Sequence, residues 1–276
     1  MFSFSYTYLN QRSSALDTGN SSLGGVAYNP FQPNVDYGED GFVPHNRAVA
    51  YGIWNVPVGR GLRFGSTMSK LADTVVGGWQ VSSNMFAQTG TGFTPFWVCD
   101  DCGPVSLGNI GVSSQDAVGD FNGPSYRPVV VSKNYQQKNG DQIFNPDAFG
   151  LPPVGEDLFS NSSVAKRNML QGPGTWGLNL GVHKSFRFGE SIRAELGADF
   201  NNVLNHPLFS PNADYGGGGG PFAMLGDFNI GVNPKTLQPY ITDVNPNPLF
   251  GRLEQTFTQQ GVDSRRTVRL RLRITF

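Results

Sequence analysis

The sequence predicts an all-β protein of antiparallel strands, and three observations carry that prediction. The last residues, Arg266 to Phe276, alternate without a break. Val268, Leu270, Leu272, Ile274 and Phe276 fall on one side, and Thr267, Arg269, Arg271, Arg273 and Thr275 on the other. A period of two belongs to a strand; at helical period the arginines would encircle the axis. Five further stretches read as strands, separated by segments rich in Gly, Pro, Asn and Asp. Charged residues make up 15% of the chain while aromatics reach 12%, with 36 Gly and 19 Pro. Ordinary soluble domains carry roughly 25% charge, so this balance fits a β-rich chain with long loops better than a soluble enzyme.

Charge and hydropathy narrow the class. A formal net charge of −1 over 276 residues leaves no basic excess to neutralise phosphates, so no nucleic-acid partner is expected. Mean hydropathy is −0.28, and no apolar run approaches the roughly 18–20 residues of a membrane helix. A transmembrane barrel escapes that test, because its lipid-facing residues are diluted one in two. Met1 is followed at once by Phe2-Ser3-Phe4-Ser5-Tyr6-Thr7-Tyr8, with no basic segment and no continuous apolar stretch. No signal peptide is expected, and the chain begins inside a strand.

The first strand is Phe2–Leu9, with aromatics on one face and hydroxyls on the other. The second, about Asn46–Val56, has weak sidedness and is closed by Pro57-Val58-Gly59. The third runs from about Val75 to Gln88 and opposes Trp79, Val81, Met85 and Ala87 to a wholly polar, uncharged face. The fourth, about Thr175–Phe186, alternates Trp176, Leu178, Leu180 and Val182 with Gly177, Asn179, Gly181 and His183. Arg187-Phe188-Gly189-Glu190 makes a tight hairpin connection. The fifth, about Ser191–Leu204, opposes Ile192, Ala194, Leu196, Ala198 and Phe200 to Arg193, Glu195, Gly197, Asp199 and Asn201. The terminal strand is the sixth. Residues 11–45, 90–174 and 205–264 read as long irregular loops, with a short strand at Tyr126–Ser132 and a possible extension of the final strand pair at Phe250–Phe257.

An amphipathic antiparallel strand suits either a soluble sheet with a solvated face or a membrane barrel with a wet lumen. The connections decide between them. In an antiparallel meander alternate connections lie at opposite ends, so 11–45, 90–174 and 205–264 share one end, and 57–74 and 187–190 share the other. Short turns at one rim and long loops at the other are the organisation of outer-membrane barrels. The fold class expected is an antiparallel transmembrane β-barrel portion of about six strands with long extracellular loops.

Several stretches, in order, carry a resemblance. These are Gly77-Gly78-Trp79-Gln80 running to Thr89-Gly90-Thr91-Gly92-Phe93-Thr94-Pro95; Phe144-Asn145-Pro146-Asp147-Ala148-Phe149; Arg167-Asn168-Met169-Leu170-Gln171-Gly172-Pro173-Gly174; Phe200-Asn201-Asn202-Val203-Leu204-Asn205-His206-Pro207; Phe250-Gly251-Arg252-Leu253; and the terminal strand. Together they resemble the C-terminal barrel region of TonB-dependent outer-membrane receptors, in particular the Oar-like group with a carboxypeptidase-regulatory-like domain. The resemblance implies a barrel of about 22 strands, plugged by a separate domain and energised by the TonB complex through that plug. Residues 1–276 are then expected to form a C-terminal part of such a barrel, without a plug domain. It also implies that Val268, Leu270, Leu272, Ile274 and Phe276 form the terminal signal read by the barrel-assembly machinery. The alternatives are a small complete barrel acting as porin or adhesin, and a soluble secreted β-sandwich binding module.

Candidate chemistry is sparse. Cys99-Asp100-Asp101-Cys102 holds the two cysteines, expected as a disulfide staple in an extracellular loop; free thiols and a metal site remain alternatives. His45, His183 and His206 stand far apart in sequence. Gly216–Gly220 lacks the Lys-Ser/Thr of a phosphate loop. Arg193, Glu195, Asp199, Arg269, Arg271 and Arg273 are expected to face the lumen, with arginines of the last strand meeting carboxylates of the neighbouring one. No catalytic residue and no cofactor is expected. The partners expected are outer-membrane lipid and a substrate whose identity the sequence does not give.

Overall fold

A computed structural model describes residues 1–13, 37–39, 43–101, 125–152, 164–188, 192–209, 220–237, 239–253 and 264–276. In chain order its elements are β1 (Phe2–Tyr8), β2 (Arg12–Ser13), β3 (Gly38–Glu39), β4 (Asn46–Asn55), α1 (Lys70–Val76), β5 (Trp79–Gln88), β6 (Gly92–Phe93) and β7 (Phe96–Asp101). They continue with β8 (Ser125–Tyr126), β9 (Leu170–Gln171), β10 (Thr175–Phe188), β11 (Ile192–Asn201), α2 (Gly220–Ala223), β12 (Met224–Val232), β13 (Pro239–Pro246) and β14 (Thr267–Thr275).

The six long strands form one antiparallel sheet in the order β1-β4-β5-β10-β11-β14. These are the six strands the alternation predicts, in a plain meander. The long connections all leave from one end and the short ones from the other, as the loop lengths require. The register is staggered. A single row runs from Phe2 through Gly52, Ser83, Leu180 and Phe200 to Val268. It therefore starts at the short-connection end of β1 and finishes at the long-connection end of β14. Strands of a barrel wall must tilt, and this stagger is the form that tilt takes.

One face of the sheet is apolar across all six strands. Its middle holds Ala50, Val81, Met85, Leu178, Val182, Ala198, Leu270 and Leu272, placed together by the register. Aromatics gather at the strand ends. Phe2, Trp54, Trp79, Phe186 and Phe276 lie at the short-connection end; Tyr6, Tyr8, Trp176 and Phe200 lie toward the other. Among the described residues nothing covers this face: Phe2, Leu270 and Phe276 are 75%, 77% and 88% exposed. Its one charge is Lys184. That side chain is buried between the rings of Trp79 and Phe186, 4.9 and 5.1 Å from their centroids, and its ammonium donates to the carbonyl of Gly77. An apolar stem with its charge led to the sheet margin is how lysine sits at an apolar boundary.

The structure departs from the sequence reading in three places. Val75 and Val76 belong to α1, not to the third strand, which begins at Trp79. Ser69 caps this helix by accepting from the Ala72 amide at 3.3 Å, and Asp73 in its first turn accepts from the Arg60 amide at 2.7 Å. The two valines continue an apolar alternation on paper, but the cap and the Gly77-Gly78 step set the boundary.

The second departure is larger. Residues expected as irregular loop build a second ordered region. β7 pairs in parallel with β12, which pairs antiparallel with β13, and β8 completes a four-stranded sheet. β6 pairs with β9. Here lies the conventional core: Phe93, Trp97, Phe144, Phe149, Leu170, Phe222, Phe228 and Phe250 are all buried. Phe144 packs between Phe222 and Phe250 at centroid distances of 5.0 and 5.8 Å, and Phe149 meets Phe250 edge-on at 5.9 Å. Third, Phe250 does not extend the final strand pair. It sits in this core, and Gly251 follows at φ 69°, where an added Cβ would lie 2.7 Å from the Phe144 Cβ. Only glycine accepts both that backbone and that approach.

Candidate functional site

The site is built on the second face of the six-stranded sheet, which is polar except for Val49, Tyr51, Ile53 and Phe86, so the third strand's inner face is not wholly polar as expected. Midway along β4 and β5 the register sets Tyr51, Asn84 and Asn179 side by side on β4, β5 and β10, with Asn201, at the end of β11, at the same level. These residues, with Asp199 and Arg269, line a groove of about 500 Å³. Asn179 Oδ1 accepts from the Asn202 amide at 2.8 Å, and Asn201 donates to Thr267 Oγ1 at 3.1 Å. Asn202 takes a left-handed backbone (φ 46°) that asparagine tolerates. Its side-chain Nδ2 donates to the carbonyls of His206 and Ser264 at 2.7 and 2.6 Å. The Asn201–His206 segment thus closes β11 and ties down the start of the terminal strand. His206, treated as turn chemistry from sequence, stacks on Trp176 with ring centroids 4.0 Å apart.

Toward the middle of the sheet the polar face becomes charged. His183 on β10 lies opposite Gly197 on β11. The imidazole occupies the space a side chain at Gly197 would fill, since a Cβ there would stand 2.7 Å from Nδ1. This position lets the ring reach two carboxylates of one strand. Nδ1 is 3.2 Å from Glu195 Oε1, and Nε2 is 3.1 Å from Asp199 Oδ1. Arg271 on β14 completes the chain by donating to Asp199 Oδ2 at 2.6 Å. The result is a line Glu195–His183–Asp199–Arg271 across three strands, its histidine nearly enclosed and its arginine half exposed. Part-exposed pairs of this kind contribute about 0–1 kcal/mol each, so the line positions side chains more than it stabilises the fold.

All six charged residues singled out from sequence lie on this face: Arg193, Glu195 and Asp199 on β11, and Arg269, Arg271 and Arg273 on β14. Asp199 stands opposite Arg269 and Glu195 opposite Arg273 in the register, yet the ion pair forms on the diagonal with Arg271. Arg193, Arg269 and Arg273 form no ion pair among the described residues. The sequence alone singles out the carboxylates and arginines but not His183. The usable signal was the antiparallel register of the fourth and fifth strands about their tight connection, which brings His183 over Gly197. Sequence separation between histidines carried no information about it.

Cys102 lies outside the described residues, so the expected Cys99–Cys102 staple does too. The Cys99 backbone belongs to β7 and pairs with Phe228. Gly216 to Gly219 and residues 189–191 also lie outside them. Among the described residues no group of three His, Cys, Asp or Glu side chains is arranged to hold a metal ion.

A family model described as an outer membrane beta barrel domain matches residues 1–267. The chain belongs to this family. No curated protein and no solved structure matches it. As an outer-membrane β-barrel protein it resides in the outer membrane, which removes the soluble β-sandwich alternative. The absence of a long apolar helix among the described residues is no obstacle, because a barrel crosses with strands. Membership also gives a reason for the uncovered apolar face, whose aliphatic band and aromatic margins resemble the lipid belt and girdles of such walls.

Proposed function

We propose that the six-stranded sheet is part of the wall of a TonB-dependent receptor barrel that takes up or binds a substrate at the cell surface. In this reading the apolar face meets lipid. The polar face, with His183, Glu195, Asp199 and the β14 arginines, lines the lumen. The second sheet and its aromatic core stand outside the cell as the receptor's external cap. The observation that carries it is the apolar face: aliphatic in the middle, aromatic at both margins, and continuous over six staggered strands. The six long strands that pair in this sheet among the described residues fall below the eight of the smallest common barrels, which favours a larger wall over a small porin or adhesin. The ordered series of motifs adds the receptor class. Energy reaches such a receptor through a plug that the TonB complex engages, and barrel-assembly machinery inserts the wall by its terminal strand.

The test compares depletion of growth-medium solutes by wild-type cells, by a strain lacking this gene and by a strain lacking the TonB-type energy-coupling complex. At least one solute is expected to persist in both mutant cultures. Solutes that depend on this gene yet are still depleted without energy coupling would point to a passive barrel instead.

A further inference from the structure

The connection between β4 and β5 holds a helix that is inside out for water. In α1 the acidic residue turns toward the protein: Asp73 is half-buried, accepts from the Arg60 amide at 2.7 Å and fills the space that a side chain at Gly77 would take. At about 100° per residue, Leu71 and Val75 fall together on the opposite side of the helix. They are 84% and 67% exposed. The end of α1 is tied to the margin of the sheet's apolar face. Trp79, on that face, donates from its indole Nε1 to the Val75 carbonyl at 3.1 Å. Lys184, paired with Trp79 in the register, donates to the carbonyl of Gly77. The apolar band therefore continues past the strand ends onto α1. Charge around the helix has one dominant sign. Between β4 and β5 the charged residues are Arg60, Arg63, Lys70 and Asp73. The three cations are exposed and form no ion pair among the described residues; Arg63 lies over the Phe64 ring, 5.5 Å from its centroid.

We propose that α1 and the basic residues before it form a headgroup site for anionic phospholipids at the short-connection rim of the wall. Leu71 and Val75 enter the boundary between headgroups and acyl chains, as the apolar side of an interfacial helix does. Arg60, Arg63 and Lys70 attract the phosphates, as basic residues beside a membrane attract anionic lipid. Short connections of outer-membrane barrels face the periplasm, which sets the lipid in the periplasmic leaflet. Continuity with the apolar face argues for lipid over a protein partner: the residues that anchor α1, Trp79 and Lys184, are themselves at the margin of that face. A seven-residue helix is marginal by itself, and these anchors hold it in place before any lipid arrives. The inference rests on the membrane-wall reading of the sheet and adds the lipid chemistry met at one rim.

The experiment places photoreactive benzoylphenylalanine at position 71 or 75 of the full chain, reconstituted in vesicles of equal parts phosphatidylglycerol and phosphatidylcholine. After illumination the adducts are identified by mass spectrometry. Lipid adducts are expected at both positions, with phosphatidylglycerol exceeding phosphatidylcholine by about fivefold, the scale of one basic residue beside an anionic surface. In R60Q/R63Q/K70Q the lipid adducts are expected to persist while the excess falls toward equality; in R60K/R63K/K70R the excess is expected to remain. Absence of lipid adducts overturns the proposal. So does equal capture of the two lipids by the chain with its own basic residues, an excess that the glutamine variant leaves unchanged, or one that the charge-conserving variant loses. A chain that does not enter the vesicles contradicts the wall reading itself, so the two failures are distinguishable.

Discussion

Phe276 and Phe144 are the same residue in two different solvents. Phe276 closes the terminal strand at 88% exposure, while Phe144 is fully buried among other rings. The contrast holds for the regions around them. The six-stranded sheet keeps most of its apolar side chains outward and its charges, Lys184 apart, on the other face, and among the described residues no protein layer covers the apolar side. The second region turns its aromatics inward and closes them with glycine turns and short bridges. A soluble core gains by removing apolar surface from water. A wall in lipid gains little by burying apolar surface against protein and loses heavily where a charge faces hydrocarbon. One chain therefore obeys two packing rules, and substitutions separate them.

The largest effect is expected in the second region. Phe144→Ala opens a cavity among Phe222 and Phe250 and should cost about 3–5 kcal/mol there. Limited proteolysis is expected to cut that region while the six strands stay protected in the membrane; joint loss of both regions would mean that they share one core. Next is Leu272→Arg, expected to cost about 2–4 kcal/mol at mid-membrane and to lower the outer-membrane level of the assembled protein, measured by heat-modifiable migration. Leu272→Ala should be tolerated, inverting the order seen at Phe144. Gly251→Ala combines a left-handed backbone with a clash against Phe144 and should cost about 1–3 kcal/mol, read as faster amide exchange around Phe250. The smallest effect is expected from Asp199→Asn with Arg271→Gln. A double-mutant cycle should give a coupling below about 1 kcal/mol, because both groups are partly exposed.

The same contrast explains what was legible in the sequence. A strand between lipid and water carries its environment in its alternation, so five of the six long strands follow from period two; the second, with weak sidedness, is set off instead by its closing Pro57-Val58-Gly59, and the order and sorting of connections follow from the meander. Position by position, Val268 to Ile274 and Arg269 to Arg273 needed no tertiary information. The second region has no such code. β6, β8 and β9 are two residues each, and β7 finds its parallel partner β12 only after the chain has passed through β10 and β11 of the other sheet. Its core residues arrive singly, in Phe144-Asn145-Pro146 and Phe250-Gly251-Arg252 contexts that read as turns. Several motifs behind the family resemblance are the turns and caps of this region. Asn168, at φ 53°, bonds Thr94 through its backbone amide at 2.9 Å and donates to the Glu39 carbonyl at 2.7 Å. Their order was informative before their purpose was. In the polar face, the charges were legible from strand parity. The place of His183 between Glu195 and Asp199 was not, because it depends on cross-strand register and on the empty space above Gly197.

The central claim is that the two faces of one sheet meet different solvents. Single cysteines at positions 268 through 274, in the intact protein in outer membranes, test it most directly. Each is challenged with a membrane-impermeant maleimide and with a lipid-confined quencher after spectroscopic labelling. Positions 269, 271 and 273 should react with the aqueous reagent and resist quenching, and positions 268, 270, 272 and 274 should do the opposite. A flat profile, or the reverse alternation, would contradict it.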